Sequence, residues 1–131
     1  MNKILIAEDE RNLRNLYLVE LQEEGYTVVV ASDGREALDL FRKERPDLVV
    51  LDILMPGMDG LELMGLMLAE QNQVPVILNT AYPAYKDNFL SWSADAYVIK
   101  SADLRELKRE IRRLLDEHAR GEKEQGPGAE G

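Results

Sequence analysis

Cysteine is missing altogether from these 131 residues, which excludes disulfides, thiolate metal sites and thiol catalysis. Positive charge is scarce too: 16 Lys and Arg stand against 25 Asp and Glu, a net charge of −9. So acidic a domain repels nucleic acid and anionic membrane, and direct DNA binding is not expected. No apolar run approaches the length of a membrane span. Lys3-Ile4-Leu5-Ile6-Ala7 is too short for the core of a signal peptide. The expectation is a soluble cytoplasmic protein with no membrane partner. The length suits one domain with a sizeable core and is too short for two. A composition 45% hydrophobic and 31% charged is ordinary for a globular fold.

What is present is an alternation of short apolar runs with helical patterns. Strands are expected at Ile4–Ala7, Tyr26–Ala31, Leu48–Leu51, Val74–Asn79 and Ala96–Ile99. The third is almost wholly aliphatic, as a central parallel strand covered on both faces should be. Arg11–Glu24 reads as a helix with Leu13, Leu16, Tyr17 and Leu21 on one face and Gly25 past its end. Ser32-Asp33-Gly34 opens a second helix, which runs to Glu44 and is broken by Arg45-Pro46. Leu61–Gln71 is a third. Asp103–His118 is the clearest, with Asp103 as N-cap and Leu104, Leu107, Ile111, Leu114 and Leu115 inward. Its basic residues interleave with acidic ones and predict a solvated, salt-bridged face, with a dimer or partner surface as the alternative. The stretch from Tyr82 to Ser93, crowded with aromatics and holding Pro83, gives no clear element. Residues 121–131 are Gly/Glu-rich and aperiodic, so a domain over 1–120 and a disordered tail are expected. Five strand–helix units predict an α/β fold: a doubly wound five-stranded parallel sheet, helices on both faces, in the order 2-1-3-4-5.

In such a sheet, reactive groups collect at the carboxyl ends of the strands. Glu8-Asp9-Glu10 follows the first strand, Asp52 the third, Asn79-Thr80-Ala81 the fourth and Lys100 the fifth. The order predicted brings Glu8, Asp9 and Asp52 to one crevice beside Thr80 and Lys100. Three carboxylates there repel one another and invite a hard divalent cation. All-oxygen ligands select Mg²⁺, Mn²⁺ or Ca²⁺ over Zn²⁺. A carboxylate in that setting can attack a phosphoryl group and form an aspartyl-phosphate. The Lys100 ammonium and the Thr80 hydroxyl suit the phosphoryl oxygens. Glu10 and Asp59 have structural readings instead: Glu10 favours the first helix N-terminus, and Asp59 holds the turn into the third helix with Gly60.

Over about residues 2–118, the chain resembles the receiver domains of two-component and phosphorelay response regulators. The resemblance is carried by the acidic pair Glu8-Asp9, by Asp52-Ile53-Leu54-Met55-Pro56-Gly57-Met58-Asp59-Gly60, by Thr80-Ala81 and by Tyr97-Val98-Ile99-Lys100. Residues 44–60 with Thr80-Ala81-Tyr82 are similar to stand-alone members such as the sporulation phosphorelay messenger, and a stand-alone receiver is expected. The resemblance implies that Asp52 accepts phosphate from a histidine kinase or histidine phosphotransfer protein. It implies Mg²⁺ (or Mn²⁺) on Asp9, Asp52 and the Leu54 carbonyl, with Glu8 acting through water. It implies a switch in which Thr80 moves to the phosphoryl group and Tyr97 turns inward, while Lys100 bridges to the phosphate. The implied protein is a signalling domain that assists its own phosphorylation and dephosphorylation, not an enzyme acting on other substrates. It would act on a downstream protein, with a homodimer as a further option. Leu54 and Tyr82 stand where the family tunes access of water, and both predict a long-lived phosphoryl group.

The chain departs from the family pattern in three places. Glu8 stands for the usual Asp. Ser101-Ala102 replaces the common Pro-Phe, so no cis X-Pro bond is required after Lys100. The run from Thr80 to Lys100 is about two residues short. Two rivals follow. A metal-dependent phosphatase needs a second acid two residues past the nucleophile, where Leu54 stands. A pseudo-receiver that is never phosphorylated is opposed by Asp9, Asp52, Thr80 and Lys100.

Overall fold

The computed structural model describes residues 2–82 and 93–120. Its elements run β1 (Lys3–Ala7), α1 (Arg11–Glu23), β2 (Thr27–Ala31), α2 (Gly34–Glu44), β3 (Leu48–Leu51), α3 (Gly60–Glu70), β4 (Val76–Thr80), β5 (Ala96–Ile99) and α4 (Arg105–Ala119). The strands form one sheet in the order β2-β1-β3-β4-β5, every pairing parallel, as expected. The stretch 83–92 and the expected tail at 121–131 lie outside the described residues.

Strand periodicity divides the core in two. Successive side chains point to opposite faces of a sheet. Leu5, Val49, Leu51, Val76 and Leu78 therefore face one way and pack with Ala37, Phe41, Leu63, Met64 and Met67 of α2 and α3. Ile4, Ile6, Leu48, Val50 and Ile77 face the other way, toward Tyr17 and Leu21 of α1 and Leu107, Ile111, Leu114 and Leu115 of α4. Both faces of β3 are consumed, which is why its sequence is continuously apolar.

Helix starts follow local chemistry. Glu10 caps α1, its carboxylate accepting from the Asn12 and Leu13 amides. Asp33 caps α2 through the Glu36 amide, and Asp59 caps α3 through the Glu62 amide. These carboxylates take up N–H groups that the first helical turn leaves without partners.

Three expectations need correction. Asp103 is not the cap of α4: Leu104 holds that position and makes no side-chain bond. The Asp103 carboxylate instead accepts from the Arg105 amide two residues on, a local turn, and is clamped by the Arg105 guanidinium. Val74 does not open the fourth strand. Its amide turns back to the Gln71 carbonyl, and Pro75 has no N–H to give a ladder, so regular pairing starts at Val76 and runs on to Thr80. Leu16 is exposed rather than inward. Tyr17 and Leu21, four apart, are the fully buried pair of α1.

Candidate functional site

Sheet order decides which side chains meet. Glu8 follows β1, Asp52 follows β3, Thr80 ends β4 and Lys100 follows β5, so four neighbouring strands each bring one group to the same edge. Backbone bonds lock the ends together. The Glu8 amide donates to Ala31, the Asp52 amide to Ala7 at 3.0 Å, and the Lys100 amide to Thr80 at 2.8 Å.

Past β3, the chain turns through Gly57, whose φ of +78° lies in the left-handed region. It returns against its own start. The Gly60 amide donates to the Ile53 carbonyl at 2.7 Å. A Cβ on Gly60 would collide with the Asp52 carbonyl oxygen. The absence of a side chain at 60 thus lets α3 begin directly beside the Asp52 backbone.

The Lys100 ammonium reaches across β4. It lies 2.7 Å from Asp52 Oδ2 and 2.7 Å from Glu8 Oε1. The first contact is an aligned hydrogen bond; the second has the distance of an ion pair without that alignment. Glu8 is 1% exposed and Asp52 5%. The other Glu8 oxygen accepts from the Glu10 amide at 3.0 Å. Burial pushes the Glu8 carboxyl above its ordinary value, against the pull of Lys100. Burial alone would lower the Lys100 ammonium, but its two carboxylate partners outweigh it and the net direction is up.

Asp9 is exposed at the mouth. One oxygen from each of Glu8, Asp9 and Asp52 lies within 4.8 Å of the others. Three acidic oxygens at that spacing, with one lysine among them, form a donor set that fits a hard divalent cation. Arg14 lines the approach, its guanidinium donating to the Glu8 and Asp9 carbonyls.

Thr80 Oγ1 is buried and has no hydrogen-bond partner among the described residues. A hydroxyl held dry and unbonded costs stability, so its position points to a ligand. The Tyr97 ring packs against the α2–α3 core, and its phenol donates to the Tyr82 carbonyl at 2.8 Å. Leu54 and Tyr82 are exposed.

The five residues expected from the sequence to share a crevice are therefore brought together in part by direct contact. Glu8, Asp52 and Lys100 touch, Asp9 lies beside them, and Thr80 ends the strand between Asp52 and Lys100. One polar pair escaped the sequence reading. Asn79 Nδ2 donates to the Tyr17 phenol oxygen at 3.0 Å, both side chains being buried. The residues are 62 positions apart. Helical periodicity counts tyrosine as part of the apolar face, so only the unexpected asparagine in a buried strand could have signalled it.

The chain is similar to known proteins in sequence and fold. The sequence pattern of the response regulator receiver domain matches residues 4–112. The chain is 42% identical over 115 residues to the protein named "Probable transcriptional regulator ycf27" of Guillardia theta, covering 86% of this chain and 45% of that one. The chain spans about half the length of the curated relatives it matches. Among solved structures, the response regulator TrrA of Thermotoga maritima in complex with Mg(2+)-BeF is 46% identical, with a TM-score of 0.85, covering 87% of this chain and 99% of that one. TrrA in complex with the histidine kinase ThkA aligns at the same identity with a TM-score of 0.83, covering 88% and 99%.

Proposed function

Because the chain belongs to the response regulator receiver domain family, we propose that Asp52 accepts a phosphoryl group from a phospho-histidine donor in a Mg²⁺-dependent reaction. The carrying observation is the buried Asp52 carboxylate held at 2.7 Å by Lys100, with Glu8 and Asp9 converging on it. The Mg(2+)-BeF complex of TrrA and the complex of TrrA with a histidine kinase support the same cofactor and class of donor here.

Glu8, Asp9, Asp52 and the Leu54 carbonyl are the residues that would hold the magnesium. The bound ion would supply neutralisation of the charge that develops on the phosphoryl oxygens. The chain's own part is to present the nucleophile. Lys100 holds Oδ2 and fixes the carboxylate plane. An Asp52 oxygen attacks phosphorus, the P–N bond to the donor imidazole breaks, and the imidazole leaves with its electron pair and takes up a proton. Lys100, already in place and charged, moves from the carboxylate to a phosphoryl oxygen at little reorganisation cost. The Thr80 hydroxyl, without a partner among the described residues, donates to another. That shift carries the signal: Thr80 moves, the Tyr97–Tyr82 bond breaks and the ring turns inward. The added charge thereby alters a surface that a downstream protein reads, and the same change could bias a homodimer.

In this reading the receiver unit covers residues 1–120, and 121–131 lie outside it. The setting is cytoplasmic, where histidine kinases act. No described helix is long and apolar enough to cross a membrane.

The test is incubation with Mg²⁺ and phosphoramidate or acetyl phosphate, followed by intact mass. One added phosphoryl group is expected, absent without Mg²⁺ and absent in Asp52→Asn. No adduct with any donor overturns the proposal in favour of an unphosphorylated interaction module. Leu54 and Tyr82 are exposed and bulky, and neither carries a carboxylate or carboxamide to orient an attacking water at the acyl phosphate. Its half-life should exceed that in Leu54→Asn/Tyr82→Glu, and a shorter one would count against this part.

A further inference from the structure

A polar contact lies buried beside the crevice and has no part in the scheme above. Tyr17 is 1% exposed and Asn79 3%, and the tyrosine sits among Ile4, Ile6, Leu21, Val50 and Ile77. A carboxamide in such surroundings is costly unless bonded, and two apolar side chains of similar volume would fill the space without that demand. Packing alone therefore gives no reason for the pair.

Its place in the sheet does. Helix α1 packs on β1 and β2, whereas Asn79 belongs to β4, and β3 runs between them. The 3.0 Å bond between Tyr17 and Asn79 thus ties a helix on one side of Asp52 to the strand on its other side. Asn79 directly precedes Thr80, whose hydroxyl is buried and has no partner among the described residues. The Thr80 carbonyl in turn accepts from the Lys100 amide at 2.8 Å. Strand alternation sends the Asn79 side chain toward α1 while Thr80 faces away from it. Anchoring the first fixes the backbone from which the second must move.

Resting on Asp52 as the phosphoryl acceptor, we infer that the Tyr17–Asn79 hydrogen bond is a positioning device that fixes the end of β4, and so sets where Thr80 and Lys100 stand relative to Asp52. Neither residue touches the reacting atoms. Their effect passes through the strand end.

The test compares the full chain with Tyr17→Phe and with Tyr17→Phe/Asn79→Leu. The single change strands a buried carboxamide, and the double change removes both polar groups and refills the space. The unfolding midpoint should fall in the single variant and recover in the double one. Uptake from phosphoramidate with Mg²⁺, followed by intact mass, should be slower in both by roughly threefold or more. Hydrogen exchange at the Lys100 amide, measured without phosphorylation, should be faster in both. A double variant with wild-type uptake overturns the inference, because the pair is then only core filler. Slowed uptake with unchanged exchange overturns it as well, because the effect does not then pass through the strand end. If the wild-type protein takes up no phosphoryl group, the acceptor reading fails by itself. The exchange data still decide the tie: wild-type exchange in both variants sinks it and faster exchange upholds it.

Discussion

The ion pairs at the end of the sheet and those along α4 have nearly the same lengths and quite different surroundings. Lys100 stands 2.7 Å from both Asp52 and Glu8, and its side chain is 16% exposed. Arg105 stands 2.6 Å from Asp103 with its own side chain 86% exposed. Arg113 holds Glu110 and Glu117 at 2.8 Å along the open face of α4, and Lys108 reaches Glu20 of α1 at 2.7 Å. The predicted salt-bridged face is there. Water screens its members, and such pairs contribute little to stability. In the crevice the Glu8 and Asp52 carboxylates are largely withdrawn from water, and among the described residues Lys100 is the cation they share. Distance alone does not rank these contacts; the solvent that each group has given up does.

The largest effect that would sharpen this contrast comes from Lys100→Ala. It leaves two buried carboxylates facing each other without a cation. Phosphoryl uptake should drop by about 100-fold, as when a preorganised charge is taken from a developing anion. Stability should fall by about 2 kcal/mol, below the roughly 3–5 kcal/mol of a fully buried pair because the crevice opens to water. Chemical denaturation and timed mass measurements check both. Full uptake in this variant would break the contrast.

Next in size is the response to Mg²⁺. A cation that binds only the folded chain stabilises it by about 2.7 kcal/mol at a hundred times its dissociation constant. The unfolding midpoint should therefore climb with Mg²⁺, and Asp9→Asn should blunt the climb. A matched Glu110→Gln variant on α4 should leave it unchanged.

A smaller effect separates the two regions by pH, without Mg²⁺. The folded-state value of Glu8 lies above its ordinary 4.5, so folding takes up a proton between the two. That contribution is fully present below 4.5 and is lost as pH rises through the raised value. Asp103 runs the other way. Arg105 pulls it from 3.8 down to about 2, so its contribution is present above 3.8 and disappears as pH falls through about 2. Carboxyl NMR titration should show Glu8 taking up its proton well before Asp103 as pH is lowered. The reverse order would refute the role given to burial. The smallest effect is that of Asp103→Ala, which should lower the unfolding midpoint at pH 7 only slightly, because the pair with Arg105 is screened by water.

Much of this molecule could be read from its sequence, because its signals are local. Unbroken apolar runs at Ile4–Ala7 and Leu48–Leu51 give strands with two buried faces, and the order of the strands then gathers Glu8, Asp52, Thr80 and Lys100. The failures share a cause. Asp103 has the chemistry of a cap, but the chain spends that chemistry on Arg105. Val74 has the hydrophobicity of a strand, yet the missing N–H of Pro75 delays the ladder. Leu16 fits the helical period, and the packing of α1 turns it outward. The Tyr17–Asn79 bond is invisible for the opposite reason: each residue is unremarkable alone, and only the fold brings them together. Competing uses of one group, and meetings between distant groups, are decided by tertiary structure.

The bare backbone at Gly60 has a last consequence. Because α3 is seated hard against the peptide that carries the acceptor, the Asp52 main chain has a mechanical stop behind it and little room to recoil. In the proposed switch, travel then falls to the side chains on the opposite wall, Thr80 and Lys100, which move on strand ends that stay anchored. On that proposal directionality is built in: one jaw of the vice is fixed by the absence of a methyl group, and the side chains of the other do the reporting.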